Sequence, residues 1–146
     1  MGGGRNSVYL ARMGYAVEGI DISEEAVNSA LALAEKSGVK IKTGITDLEA
    51  DCRIKKNYYD VIICFNYLQR SLIAQIKEGL QTGGIVVYET YTLKQAKFGR
   101  PRNPDHLLKP NELLNMFRDF HCHRYFEGIL DSRKAVAGIV AEKIRM

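Results

Sequence analysis

Apolar residues recur along this chain with two different periods. "VKIKT" (39–43) sets Val39 and Ile41 against Lys40 and Lys42, the two-residue alternation of a half-exposed strand. "YDVIICF" (59–65) and "TGGIVVYETYT" (82–92) are apolar through their centres instead, the pattern of strands covered on both faces. Elsewhere the spacing is three and four. Val27, Ala30, Leu31 and Ala34 predict a helix opened by Ser23, with Glu24 and Glu25 in its first turn, and closed near Gly38. Leu72, Ile73, Ile76 and Leu80 predict another over 69–80, and Leu113, Leu114 and Phe117 a third that starts at Pro110. The opening "RNSVYLARMG" reads as a short helix stopped at Gly14, and "YAVEGID" as the strand after it. "HCHRYFEGIL" and "KAVAGIVAEKIR", joined by "DSR", read as a hairpin.

Strands alternating with helices predict an α/β fold: a Rossmann-like, doubly wound, mostly parallel sheet that ends in an antiparallel hairpin. The length of 146 residues fits a single domain over 1–146. Ligands of such sheets sit beyond the carboxyl ends of the strands, which directs attention to four places. Gly2 and Gly4 lie in a glycine loop that opens a helix, where backbone can approach a ligand and free amides attract negative charge. Asp21 ends the next strand, at a distance suited to a carboxylate that accepts from ribose hydroxyls; it equally suits a cap for the following helix. Asp47 follows the third strand and is placed either to bond an adenine amino group or to cap "LEAD". Asn66 follows "DVIICF" and is expected to face the centre of the cleft. The ordered set points to a nucleoside cofactor.

"GGGRNS" nearly fits the dinucleotide fingerprint, so a nicotinamide cofactor is one candidate. The longer stretch "GGGRNSVYLARMGYAVEGIDIS" resembles the first motif and second strand of class I S-adenosylmethionine-dependent methyltransferases, in particular the tellurite-resistance-like (TehB-like) branch. "YDVIICFNYL" and "LQTGGIVVYETYT" resemble that family's fourth and fifth strands. The resemblance implies that Gly2 and Gly4 pass close to the amino-acid part of S-adenosyl-L-methionine, with Arg5 and Asn6 matching at the helix start. It implies that Asp21 holds the ribose with Ile22 against the adenine, that Asp47 meets the adenine amino group with Leu48 beside it, and that Phe65, Asn66 and Tyr67 line the cleft. The family's sheet order is 3-2-1-4-5-7-6. Its central first strand, and the acidic residue just before the first glycine, have no counterpart ahead of Met1, so "MGGG" is expected to be an internal stretch of a longer, N-terminally truncated methyltransferase domain.

The implied function is methyl transfer to a small-molecule acceptor, with no residue singled out as catalytic base. The rival readings are an NAD(P)-binding oxidoreductase and a non-catalytic S-adenosylmethionine-binding remnant. On the acceptor side the candidates are Glu89 and Tyr91 at the end of the fifth strand, with Arg100 and His106 in the loop over 93–110. Core or rim packing for Tyr91 and a plain surface role for His106 are the alternatives. That loop concentrates Lys94, Lys97, Arg100, Arg102 and Lys109 against Asp105, as a lid over an anionic or electron-rich acceptor would. The whole chain, with 21 basic and 17 acidic residues, is too weakly basic to predict nucleic-acid binding. The odd cysteines Cys52, Cys64 and Cys122 argue for a reducing, cytoplasmic setting rather than a disulfide framework. No apolar run is long enough to span a membrane. "HCH" (121–123) predicts no metal site, because in a strand His121 and His123 share one face and Cys122 takes the other.

Overall fold

The computed structural model describes residues 1–50 and 53–145. Of the three cysteines, Cys52 lies outside the described residues. The chain divides into two compact units, Met1–Cys52 and Arg53–Met146.

The first unit runs α1 (Arg5–Arg12), β1 (Glu18–Asp21), α2 (Glu24–Lys36) and β2 (Lys42–Ile45). Helix α2 begins where the sequence places it: the Ser23 Oγ accepts from the Ala26 amide at 3.1 Å, a cap worth about 1 kcal/mol. Val27, Ala30 and Ala34 form its buried stripe. β1 and β2 pair in parallel, Glu18 opposite Lys42 and Asp21 opposite Ile45. Both strands are displaced toward their carboxyl ends relative to the alternation pattern, since the ladder begins only where the two backbones come into register.

The second unit runs β3 (Tyr59–Phe65), α3 (Leu72–Gly79), β4 (Leu80–Tyr91), α4 (Glu112–Met116), β5 (His121–Leu130) and β6 (Lys134–Glu142). Its sheet has the order β3-β4-β6-β5, with β3 and β4 parallel and both pairings of β6 antiparallel. Val86, Tyr88, Ile139 and Ala141 bury one face of the sheet's centre, joined in the core by Ile76, Leu113 and Phe117.

Some expectations change. The described strands form two sheets rather than one, with the orders β1-β2 and β3-β4-β6-β5. Val61 to Cys64 are half-buried, not covered on both faces, because β3 is an edge strand of its sheet. Helix α3 starts at Leu72 and not at 69, because Leu72 and Ile73 bond back to Gln69 and Arg70 as a turn, and Leu80 is already extended. Pro110 precedes α4 instead of occupying its first position, since Asn111 takes a left-handed conformation with φ 61°. The loop over 93–110 carries two 3-10 turns, Leu93–Lys97 and Pro104–His106. The hairpin stands as expected: Asp131 and Ser132 both have positive φ, the mark of a type I′ turn that matches strand twist.

Candidate functional site

In the first unit the predicted residues gather around the end of β1. Gly4 stands at the N-cap of α1 with φ 85°, and a Cβ there would lie 2.5 Å from the Ala30 Cβ. Glycine is therefore required for α1 to lie against α2. At Gly2 and Gly3, by contrast, a Cβ would meet nothing within 4 Å, so the loop's outer side is open. The first-turn amides of Arg5, Asn6 and Ser7 make no backbone hydrogen bond among the described residues and remain as donors at the positive end of the helix. Arg5 and Asn6 are both exposed.

The Asp21 carboxylate faces this loop. Its Oδ2 accepts from the Gly2 amide and the Met1 amino group, each at 3.0 Å, and its Oδ1 accepts from the Ser23 amide at 3.0 Å. Partial burial pushes its pKa up, but the Ser23 and Gly2 amides and the Met1 ammonium outweigh that and hold it below the ordinary carboxylate value. Asp21 thus serves both the loop and the start of α2. Ile22 beside it is 63% exposed. Asp47 is exposed and also partly engaged: its Oδ1 accepts from the Glu49 amide at 2.9 Å and its carbonyl from Ala50 at 3.2 Å, closing the turn that holds Leu48.

In the second unit, β3 ends at Phe65 and residues 66 and 67 form a strap after it. Asn66 has φ 57°, a left-handed turn that asparagine tolerates, and its amide donates to the Glu89 carbonyl at 2.9 Å. The Tyr67 carbonyl accepts from the Tyr88 hydroxyl at 2.6 Å and the Cys64 thiol at 3.7 Å. Burial raises the pKa of both groups, so each stays protonated and able to donate. Sequence alone gives Tyr88 no role and Cys64 only a place among the odd cysteines, since both lie in runs that read as plain apolar strand.

Glu89 and Tyr91 share the half-buried face of β4, opposite Tyr88 and Thr90. Arg100 and His106 are exposed, and among the described residues no hydrogen bond or ion pair joins them to Glu89 or Tyr91. The loop that carries them is fastened by two residues sequence reading passed over. Arg70 grips both Glu112 oxygens, at 2.6 and 2.9 Å, and donates to the carbonyls of Asp105 and Leu107, each at 3.0 Å. Gln95, buried, donates to the Arg100 carbonyl at 3.2 Å and accepts from the Ala135 amide at 2.8 Å. A cavity of about 60 Å³, bordered by Thr92, Lys94, Leu108 and Glu127, opens beyond the end of β4.

Comparison with known proteins agrees with this arrangement. A family model described as "Methyltransferase domain" matches residues 1–84. A ubiquinone biosynthesis O-methyltransferase from a Shewanella species is 29% identical over 134 residues, 77% of this chain and 56% of that protein. The "Probable S-adenosyl-L-methionine-dependent methyltransferase TehB" of Haemophilus influenzae is 29% identical over 144 residues, 91% of this chain and 48% of that protein. The crystal structure of TehB from Haemophilus influenzae superposes with a TM-score of 0.79 at 26% identity, covering 97% of this chain and 55% of that one. The chain spans about half the length of these curated relatives. The matched region holds the glycine loop and the carboxylate that answers it at the end of β1, and the chain belongs to the methyltransferase domain family, class I fold, on its TehB-like branch.

Proposed function

We propose that the protein carrying this chain binds S-adenosyl-L-methionine and transfers its methyl group to a small-molecule acceptor, the two units acting as parts of one methyltransferase domain. The observation that supports it most is the Asp21 carboxylate at the glycine loop. A carboxylate has about four lone-pair sites, and the Gly2 and Ser23 amides use one on each oxygen. The second lone-pair site of Oδ1, beside the Ser23 amide, is where the proposal puts a ribose hydroxyl. The open side of Gly2 and Gly3 leaves room for a ligand to lie against backbone.

The cofactor supplies a methyl group already activated by a sulfonium, so the chain's task is binding and orientation, which can account for about 7–11 kcal/mol of a barrier. Asp21 would orient the ribose, Ile22 and Leu48 would flank the adenine, and Asp47 would offer its free carboxylate oxygen to the amino group. Gly2, Gly4, Arg5 and Asn6 would present backbone to the amino-acid portion. In the second unit the same reading makes Phe65, Asn66 and Tyr67 lining residues, held in position by Tyr88 and Cys64. Glu89, Tyr91, Arg100 and His106 are the acceptor-side candidates, and the cationic loop suits an anionic or electron-rich acceptor.

The test is calorimetric titration of the intact protein with S-adenosylhomocysteine and, separately, NADH. Saturable binding of the first alone, weakened at least about tenfold by Asp21→Ala, is expected, since one charge-assisted hydrogen bond is worth about 1.5–3 kcal/mol. Unchanged affinity in that variant removes Asp21 from the site, and tighter binding of NADH overturns the cofactor assignment.

A further inference from the structure

We propose that His121, His123 and Glu142, at the end of the β5–β6 ladder, form a binding site for a divalent transition-metal cation of the zinc type, separate from methyl transfer. The strand alternation that sets Cys122 aside holds, because Cys122 pairs with Ala141 and so takes the face opposite Glu142. What a single strand could not reveal is the third donor. His121 is the direct cross-strand partner of Glu142, and such partners project from the same face. Between Cys122 and Arg124 the register slips, which makes His123 the extra residue of a bulge and turns its ring toward Glu142.

The result is a compact three-donor cluster. The His123 Nε2 lies 2.8 Å from the Glu142 Oε1, and the two imidazole centroids are 4.4 Å apart with 36° between their planes. One donor atom from each of the three residues lies within 4.8 Å of the others. Ligands about 2.0–2.2 Å from a tetrahedral zinc ion are separated by about 3.3 Å. Closing on an ion therefore needs the widest contact to shorten by about 1.5 Å and the His123 to Glu142 contact to open by about 0.5 Å. His121 and His123 are exposed and Glu142 is half-buried, so side-chain rotation can supply both movements.

Two imidazoles and one carboxylate favour zinc, copper or nickel over calcium or magnesium, which prefer oxygen donors. A bare His123 to Glu142 contact on the surface would contribute little and would leave the position of the His121 ring unused. Arg124, opposite Val140, is a like charge on the same face, which the Glu142 carboxylate offsets. Three protein donors leave a coordination position for water or a further ligand. Bound there, the ion joins the start of β5 to the end of β6 and stabilises the hairpin by mass action.

The test is calorimetric titration of the intact, tag-free protein with zinc chloride, far-UV circular dichroism confirming that each variant is folded. One saturable ion per chain is expected, weakened at least about tenfold by His121→Ala, His123→Ala or Glu142→Gln and unchanged by Cys122→Ser. Cobalt in place of zinc should give visible d–d bands without a thiolate charge-transfer band. Absence of saturable binding, full affinity in His123→Ala, or loss of binding in Cys122→Ser would overturn the site.

Discussion

The two units solve different problems with different residues. Around β1 the buried apolar side chains are Val8, Val27, Ala30 and Ala34, all small, and the close approach of α1 to α2 depends on Gly4 having no side chain at all. Around β4 the core is built from Tyr88, Phe117, Ile76, Leu80, Leu107, Leu108 and Leu113, each almost fully removed from water. Because burial of apolar area scales with side-chain size, the second unit has the larger source of stability and the first has very little to lose. Gly4 packs directly on Ala30, which leaves no room for bulk between α1 and α2, and the thin core of the first unit follows from that close approach.

Single substitutions separate the two units. Phe117→Ala should cost about 3–5 kcal/mol in chemical denaturation, as expected for an aromatic ring in a packed core. Gly4→Ala should cost about 2–4 kcal/mol, from a Cβ 2.5 Å from Ala30 and a left-handed backbone at φ 85°. Its signature should be local: hydrogen exchange should accelerate in α1 and α2 while β4 and β6 stay protected. Equal acceleration in both regions would mean that the units unfold as one and that the contrast has no energetic content. Tyr88→Phe should cost about 1 kcal/mol by removing the 2.6 Å bond to the Tyr67 carbonyl, and should loosen the strap more than the core, measured by exchange at residues 65–68.

The smallest effect is an acid one, and each unit has a version of it. The hydrogen bonds from Arg70 lower the Glu112 pKa, against the upward push of burial, and Asp21 is likewise held low. A carboxylate whose folded pKa lies below its unfolded value contributes stability above the unfolded value and loses it as pH falls through the folded one. Denaturant midpoints should therefore decline below about pH 4.5, with a shallower decline in Glu112→Gln for the second unit and in Asp21→Asn for the first.

Much of the fold was legible because its signals are local. Ser23 followed by two glutamates marks the start of α2, and "DSR" between two apolar runs marks the hairpin turn. The glycine loop and Asp21 were legible as a pair for the same reason, each standing at the end of an element that periodicity had located. Boundaries were less so: nothing in "LQRSL" distinguishes a turn from the first turn of α3. The residues that fasten the loop over 93–110 were the least legible. Arg70 works through Glu112, 42 positions away, and Gln95 through Ala135, 40 positions away. Their polar side chains look solvated until the fold supplies carbonyls for them. Glu142 joins His121 and His123 only through strand register and a bulge, neither of which has a residue signature here.

The turn at Asp131 and Ser132 has a further consequence, for the order in which chain entropy is given up. Three residues separate Leu130 from its partner Lys134, so the β5–β6 ladder can zip outward from a short closure. The β4–β6 ladder instead joins Tyr91 to Val136 across the whole 93–110 loop, α4 and β5. Closure entropy grows with the logarithm of loop length, but a preformed hairpin replaces most of that flexible span with a rigid one. On closure entropy, β5–β6 pairing is expected to precede β4–β6 pairing.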